Sequence, residues 1–199
     1  MPRVRALLAF VLLLACVSPG PAAEGLPGPG AGAEGWRKYF TDLKLVDQNG
    51  KEHRFYSDLL EGRVVILSGF YVHCTTVSPR QNLVLSQLQK ALGERLGREV
   101  LLLSLTIDPK RDNAEKVRDY ARAFRPREGW LFLTGKPENV DWVNYRLGQY
   151  TDDLESHPGI YLVGNLKTGL WMKAPPLATV ADLVRAVDRA TNDAGSPPQ

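Results

Sequence analysis

The sequence predicts an α/β domain in which a mainly parallel central sheet is flanked by helices and preceded by an N-terminal β-hairpin. Two long apolar runs, Val64–Tyr71 and Val100–Ile107, are typical of strands that are buried on both faces. Helical patterns separate these runs from each other and from a third, shorter run at Trp130–Thr134. Asn49 and Gly50, which lie between two short strand patterns, predict the turn of the hairpin.

The elements of the first half follow in order along the chain. The hairpin strands, Asp42–Val46 and Glu52–Phe55, flank the Asn-Gly turn. After the first buried strand, Ser78 and Pro79 have the residue types of a helix N-cap and of a first helical position. Valine and leucine side chains spaced four residues apart then form one apolar helix stripe, which ends at Gly97.

The second half of the domain continues the alternation of strands and helices. Asp112 and Glu115 have the spacing of a capping box, and Pro137 starts a further helix that Gly148 ends. The last elements are two strands and a capped helix: Ile160–Val163, Leu170–Lys173 and a helix that begins at Thr179. Because buried strands that alternate with helices pair mainly in parallel, a thioredoxin-like sheet with an antiparallel hairpin at its edge fits this order.

Composition restricts the class of protein. The chain has 199 residues, of which 44% are hydrophobic and 24% are charged, and this suits one globular domain with a short additional segment. The net charge of +3 is too small for a typical nucleic-acid-binding protein, so no nucleic acid is expected as a partner. Two cysteines are too few for a disulfide framework or for a thiolate zinc site.

The N-terminus has the pattern of an export signal. Two arginines precede the apolar run Ala6–Ala15, which is too short to span a bilayer, and we predict a signal peptide over residues 1–23. Leu13–Cys16 resembles a bacterial lipoprotein box, in which the chain is cleaved before Cys16 and this cysteine is acylated. The alternative is that Cys16 is one more apolar residue of the signal core.

The remaining boundaries follow from composition. We predict a Gly/Pro-rich linker over residues 24–35, a folded domain over residues 36–192 and a disordered tail over residues 193–199. The protein is expected in the bacterial cell envelope, on the periplasmic side, and attached to the membrane if Cys16 carries lipid. With or without lipidation, Cys74 is then the one usable thiol of the folded domain.

Two residues are candidates for chemistry. Cys74 follows the first buried strand and precedes a helix N-terminus, whose positive end favours the thiolate, although a buried and inert cysteine is the alternative. His157 lies before the strand at Ile160, in a loop that faces the cysteine loop in thioredoxin-like folds. It is expected to bind a metal jointly with Cys74 or to act as its proton partner, unless it is an ordinary loop histidine. Pro158 stands where such folds usually have a cis-proline, and both isomers stay open.

The order and spacing of these elements resemble those of the Sco/SenC proteins. The resemblance runs through Leu43–Gly50, Leu59–Gly62, Phe70–Cys74, Asp108–Asp112, Trp130–Gly135 and His157. Sco/SenC proteins are thioredoxin-fold copper proteins that help to assemble the copper site of cytochrome c oxidase. The resemblance therefore implies copper as the cofactor, and a cytochrome c oxidase subunit or another copper protein as the partner.

One position departs from the pattern of the family, whose copper site uses Cys-x-x-x-Cys-Pro and a distant histidine. Cys74 and His157 match the first cysteine and the histidine, but Ser78 stands in place of the second cysteine. Because a neutral hydroxyl is a poor Cu(I) ligand, we expect weaker Cu(I) binding than at a two-cysteine site. His73 is a candidate third ligand. The alternative is that it takes no part in the site, because it adjoins Cys74 on an extended segment, in which successive side chains point to opposite sides. The change also removes dithiol activity unless an external thiol takes part.

Further residues are expected to support the site. Asp108 and Asp112 match the family's Asp-x-x-x-Asp element, and Ser78 and Pro158 flank the two candidate ligands. Three functions stay open. The leading one is copper handling by a chaperone-like protein rather than an enzyme. The alternatives are a single-cysteine thiol peroxidase or sensor, in which Cys74 passes through sulfenic acid, and a degenerate Sco fold that binds a partner without chemistry.

Overall fold

The computed structural model describes residues 32–195, so the predicted leader with Cys16 lies outside the described residues. The helices in this range are α1 (Gly32–Phe40), α2 (Val77–Leu92), α3 (Ala114–Arg122), α4 (Pro137–Arg146) and α5 (Val180–Thr191). The strands are β1 (Lys44–Asp47), β2 (Glu52–Arg54), β3 (Val64–Phe70), β4 (Val100–Thr106), β5 (Trp130–Gly135), β6 (Tyr161–Asn165) and β7 (Leu170–Ala174). A π-helical turn, Phe55–Leu60, follows β2. None of the helices between residues 32 and 195 has the length and apolar character needed to cross a bilayer.

The strands form one sheet in the order β2-β1-β5-β4-β3-β6-β7. The central strands β3, β4 and β5 run parallel, whereas β1 pairs antiparallel with β2 and β5, and β6 pairs antiparallel with β3 and β7. The parallel centre follows from the helices between these strands, because a parallel connection needs a crossover that a tight turn cannot make. The predicted fold class, with its N-terminal hairpin, is confirmed.

A hydrophobic core lies on each face of the sheet. Because β3 and β4 are covered on both faces, every residue of these two strands is buried. Ile66 and Phe70 pack on one face with apolar residues of α2, α3 and α5. Val65 and Leu67 belong to the core of the other face, to which α1, α4 and the π-helical turn contribute. Burial on both faces is what the unbroken apolar runs in the sequence predict.

Helix α1 starts four residues before the predicted domain boundary at Trp36 and includes the end of the predicted linker. Trp36 and Phe40 are buried, and their rings lie 6.1 and 5.6 Å from the ring of Trp171 in β7. Composition predicts a linker over residues 24–35 because glycine disfavours helix. The packing of the aromatic side chains outweighs this propensity and extends the folded domain.

The topology brings two loops together at one end of the sheet. β3 and β6 are antiparallel neighbours, with Ser68 opposite Tyr161. The chain that leaves β3 after Phe70 and the chain that enters β6 therefore lie side by side, at a strand spacing of about 4.8 Å. The first of these loops contains Cys74 and the second contains His157.

Candidate functional site

Cys74 lies in a tight turn between β3 and α2. Its backbone N–H donates to the carbonyl oxygen of Tyr71 at 3.1 Å, and its side chain is buried, with 5% of the residue exposed. Helix α2 has Thr76 at its N-cap, and the side chain of Thr76 makes no capping hydrogen bond. Instead, the N–H of Ser78 donates to the Cys74 sulfur at 3.3 Å. The sulfur thus accepts one of the free N–H groups of the helix N-terminus, which favours the thiolate.

Ser78 is not the N-cap that the sequence predicts, because α2 begins at Val77 and Ser78 is a fully buried residue of its first turn. The Oγ of Ser78 accepts a hydrogen bond from the N–H of Tyr71 at 3.3 Å, and its hydroxyl hydrogen-bonds the Cys74 sulfur. Burial opposes ionisation of the thiol, but the hydroxyl and N–H of Ser78, together with Thr76, lower the pKa of Cys74 to about 7. Ser78 therefore stabilises the thiolate.

His157 presents one unpartnered nitrogen in a buried position. Its Nδ1 lies 2.9 Å from the carbonyl oxygen of Leu154, and because a carbonyl only accepts, Nδ1 carries the proton. Nε2 then bears a lone pair, and it is buried without a hydrogen-bond partner. Burial lowers the pKa of His157, more than its hydrogen bond to Leu154 raises it, and keeps the imidazole neutral. A neutral imidazole with its second nitrogen fixed by a carbonyl is the form that binds metals.

Two contacts join the His157 loop to the cysteine loop and to helix α2. The ring of Tyr71 packs edge-on against the imidazole of His157, with 5.6 Å between the ring centroids. Burial raises the pKa of Tyr71, and a hydrogen bond from its hydroxyl to the Cys74 sulfur raises it further. On the other side of the loop, Nε2 of Gln81 in α2 donates to the carbonyl oxygen of Gly159. Tyr71 thus contacts both candidate ligands.

The turn after His157 is made by glycine rather than by a cis-proline. The His157–Pro158 bond is trans, so the cis isomer, which the sequence leaves open, is not adopted. Gly159 has φ +58°, and a Cβ at this position would lie 2.5 Å from Cγ1 of Val77 in the first turn of α2. Only glycine allows both this left-handed conformation and this close approach to the helix.

Asp112 does not cap α3 but hydrogen-bonds the backbone of the cysteine loop. The N-cap is Asn113, whose side chain accepts from the N–H of Lys116. Asp112 is fully buried, and its Oδ2 accepts from the N–H of Val72 at 3.1 Å and from the hydroxyl of Thr106 at 2.7 Å. Burial raises the pKa of Asp112, more than these hydrogen bonds lower it. The carboxylate thereby fixes the chain two residues before Cys74.

The remaining predicted site residues lie outside this arrangement. Asp108 accepts from Nε of Arg111 at 2.5 Å and lies at the end of β4. His73 is exposed, although it adjoins Cys74. Between residues 32 and 195 no group of three or more His, Cys, Asp or Glu side chains is placed to hold a metal ion. The structure therefore does not gather His73 with Cys74 and His157 into a three-ligand site.

Two buried glutamines beside the His157 loop are not predicted by the sequence reasoning. Gln81 is 1% exposed and Gln149 is 5% exposed, and each has an unpartnered side-chain oxygen. Gln149 lines a small cavity with His157, Pro158 and Gly159. Neither glutamine belongs to a recognisable sequence motif. Since a glutamine in a helix or loop is usually solvent-exposed, the sequence gives no signal that these two are buried.

The donor atoms present are compatible with copper. A thiolate sulfur and a neutral imidazole nitrogen suit Cu(I), and the unpartnered Nε2 of His157 is an available donor. Ser78, which stands where the resemblance to Sco/SenC proteins implies a second cysteine, directs its hydroxyl to Cys74.

Comparison with known proteins identifies the family. The SCO1/SenC family profile matches residues 33–167. The mitochondrial protein SCO1 homolog 1 of Arabidopsis thaliana is 29% identical over 136 residues, which are 68% of this chain and 39% of that protein. The SCO2-like protein of Rickettsia felis is 28% identical over 102 residues, which are 51% of this chain and 47% of that protein. The chain thus spans less than half the length of these two relatives.

Solved structures share the fold. A SCO1/SenC family lipoprotein from Bacillus anthracis superposes with a TM-score of 0.64 at 21% identity, over 75% of this chain and 92% of that one. The crystal structure of Arabidopsis thaliana ScoI with copper bound superposes with a TM-score of 0.61 at 22% identity, over 74% of this chain and 94% of that one. With a family profile that covers most of the folded domain, the chain belongs to the SCO1/SenC family.

Proposed function

We propose that the protein binds Cu(I) through Cys74 and His157 and passes it on during assembly of a copper site such as that of cytochrome c oxidase. One observation carries the proposal. His157 presents a buried nitrogen lone pair without a hydrogen-bond partner, on a loop that contacts the cysteine loop through Tyr71. A buried polar atom without a partner is unfavourable, and a bound metal ion relieves this.

The state of Cys74 supports the same proposal. With its pKa lowered to about 7, about half of the thiol is thiolate near neutral pH, and the thiolate is the form that binds metals. A set of two strong donors binds more weakly than a set of three. Weaker binding suits a protein that has to release its copper to a client.

The proposal includes export to the bacterial cell envelope. The pattern of residues 1–23 is that of a signal peptide, and acylation at Cys16 would attach the domain to the membrane. A family member from Bacillus anthracis is a lipoprotein, which is consistent with this location. The client, on this proposal, is a cytochrome c oxidase subunit or another copper protein.

Anaerobic titration of Cu(I) against a competing chelator tests the proposal. We expect one copper per chain and a loss of binding in Cys74→Ser and in His157→Ala. His73→Ala is the matched control, since His73 is exposed and adjoins the same loop. Binding that survives both of the first two substitutions would overturn the proposal. A fall in affinity in His73→Ala would instead add His73 to the ligands.

A second candidate function is single-cysteine thiol redox chemistry, which the lowered pKa of Cys74 favours. The thiolate would attack hydrogen peroxide, so that a sulfur–oxygen bond forms, the oxygen–oxygen bond breaks and hydroxide leaves. An external thiol would then reduce the sulfenic acid through a mixed disulfide, with release of water. Peroxide consumption measured on the same copper-free sample separates the two functions, because a copper carrier is expected to show no turnover.

A further inference from the structure

The side chain of Gln81 connects helix α2 to the loop that contains His157. Gln81 lies in the second turn of α2 and is 1% exposed. Its Nε2 donates to the carbonyl oxygen of Gly159 and, at 3.4 Å, to that of Ile160. Because a carbonyl oxygen only accepts, the nitrogen of the carboxamide is the atom that faces the loop. This contact ties the backbone just after His157 to the helix.

The first turn of the same helix holds the sulfur of Cys74, to which the N–H of Ser78 donates at 3.3 Å. A second contact lies between Gln81 and the start of β6, where the hydroxyl of Tyr161 donates to the backbone carbonyl oxygen of Gln81 at 3.4 Å. The start of α2 therefore contacts Cys74 and also the chain between residues 159 and 161. Gln81 contributes to the second of these contacts with both its side chain and its backbone.

The imidazole of His157 depends on the chain around it for its position. Its Nδ1 bonds the carbonyl oxygen of Leu154, and its Nε2 has no partner, so in the described part of the chain the ring itself makes no hydrogen bond to α2. The bond to Leu154 fixes the ring relative to the residues before it. The bond from Gln81 to Gly159 fixes the residues after it relative to α2.

We infer that Gln81 is a positioning residue for copper binding, which holds the His157 loop against the helix whose first turn holds the Cys74 sulfur. The inference rests on the proposed function. On this view Gln81 does not touch the ion but sets the separation of its two ligands. Removal of residues that orient metal ligands from outside the coordination sphere typically lowers metal affinity by about 10- to 100-fold.

Gln89 in the same helix provides a matched control. It is 3% exposed, its Nε2 donates to the carbonyl oxygen of Arg125 at 3.1 Å, and its Oε1 accepts from the N–H of Arg127 at 2.9 Å. These partners lie in the connection from α3 to β5, at the end of the sheet opposite to the His157 loop. The two glutamines thus share residue type, helix and burial, and they differ in the loop that each one holds.

Gln81→Met and Gln89→Met remove each carboxamide from the full chain at similar volume. We expect the Kd for Cu(I) to rise by about tenfold or more in Gln81→Met and to stay unchanged in Gln89→Met. The unfolding temperatures of the copper-free proteins should show the reverse order. Gln89→Met leaves both a carbonyl and an N–H group unpaired, whereas Gln81→Met also removes an oxygen, Oε1, that has no partner.

A second variant and a spectroscopic measurement strengthen the test. Gln81→Asn keeps a carboxamide but is shorter by one CH₂ group, so it should no longer reach the carbonyl oxygen of Gly159, and we expect a similar loss of affinity. This variant also serves if Gln81→Met does not fold. X-ray absorption of copper-saturated samples should show a weaker nitrogen contribution in the Gln81 variants, with the sulfur contribution retained.

Three results would overturn the inference while leaving the Cys74–His157 site intact. They are full Cu(I) affinity in either Gln81 variant, equal losses of affinity in Gln81→Met and Gln89→Met, and an unchanged nitrogen contribution in the X-ray absorption of the Gln81 variants. Equal losses would show a general effect of removing a buried glutamine from α2. If the unsubstituted protein bound no Cu(I), the proposed function would fail and this inference would fail with it.

Discussion

The backbone N–H of Ser78 donates to the sulfur of Cys74 at 3.3 Å, and the hydroxyl of Ser78 hydrogen-bonds the same sulfur. The residue that stands in place of the second cysteine therefore contributes to the chemistry of the first. It exchanges a second thiolate ligand for a hydrogen-bond donor that lowers the pKa of the remaining thiol. On the proposed function, we expect this exchange to weaken Cu(I) binding. The lowered pKa also increases the fraction of Cys74 that is thiolate near neutral pH.

Restoring the second sulfur should strengthen copper binding. Ser78→Cys places a third strong ligand on the first turn of α2, next to Cys74, and we expect the Kd for Cu(I) to fall by at least about tenfold, which corresponds to about 1.4 kcal/mol. Competition with a Cu(I) chelator under anaerobic conditions measures the change. An unchanged Kd would mean that the geometry of the loop no longer suits a two-cysteine site, and it would weaken the copper proposal as a whole.

Removing the hydroxyl should make Cys74 less acidic. The loss of one hydrogen bond to a charged group costs about 1.5–3 kcal/mol, so Ser78→Ala should raise the pKa of Cys74 by about one to two units. The rate of alkylation by iodoacetamide as a function of pH measures this pKa. Thr75→Ala is the control, since Thr75 is exposed in the same loop. A midpoint that stays near pH 7 in Ser78→Ala would contradict the assigned role of the hydroxyl.

The same interaction predicts how stability depends on pH. The folded state lowers the pKa of Cys74 from its ordinary value of 9.0 to about 7. The corresponding stabilisation is therefore fully present above about pH 9 and is lost as the pH falls through about 7. Chemical denaturation at pH 6 and pH 9 should show a smaller difference in the free energy of unfolding for Ser78→Ala than for the unsubstituted protein. Equal differences would show that the hydroxyl makes no contribution to the thiolate.

Two glycines in the left-handed region provide a matched test of the His157 loop. Gly148 and Gly159 have φ of +66° and +58°, but only at Gly159 would a Cβ meet a neighbour, Cγ1 of Val77 at 2.5 Å. Alanine at either position costs roughly 1–2 kcal/mol for the backbone conformation. Gly159→Ala should destabilise the protein further and weaken Cu(I) binding, and the added substitution Val77→Ala should recover part of both losses. Similar unfolding free energies for the two alanine variants would argue against this close packing.

Attachment to the membrane is a prediction about Cys16. If Cys16 is acylated, the protein should stay in the membrane fraction after a high-salt wash, because each buried CH₂ of the acyl chain contributes about 0.8 kcal/mol. Cys16→Ser should release the protein from that fraction. Recovery of an unmodified mature protein that begins near Ala23 or Glu24 would reject lipidation and leave only cleavage by an ordinary signal peptidase.

The sequence predicts the order of strands and helices and the two loops that carry Cys74 and His157, because each depends on a local pattern of apolar and turn residues. It does not predict contacts between segments that are distant in the chain. The helix start at Val77, the bonds of Asp112 to Val72 and Thr106, and the burial of Gln149 all depend on such contacts. The spacing of Asp112 and Glu115 resembles a capping box, but in the folded protein the next residue, Asn113, is the N-cap of α3.

The pairing of β3 with β6 brings the Cys74 loop and the His157 loop together directly, although a long stretch of chain connects them. The register of Ser68 with Tyr161 fixes the starting points of both loops. The short segments from Ser68 to Cys74 and from His157 to Tyr161, with the contacts made by Asp112 and Gln81, then set the spacing of the two candidate ligands. The connections into β4 and β5 and the turn between β6 and β7 lie at the opposite end of the sheet. Insertions at that end of the sheet leave the starting points of the Cys74 and His157 loops unchanged, so the surface there and the geometry of the two loops can change independently.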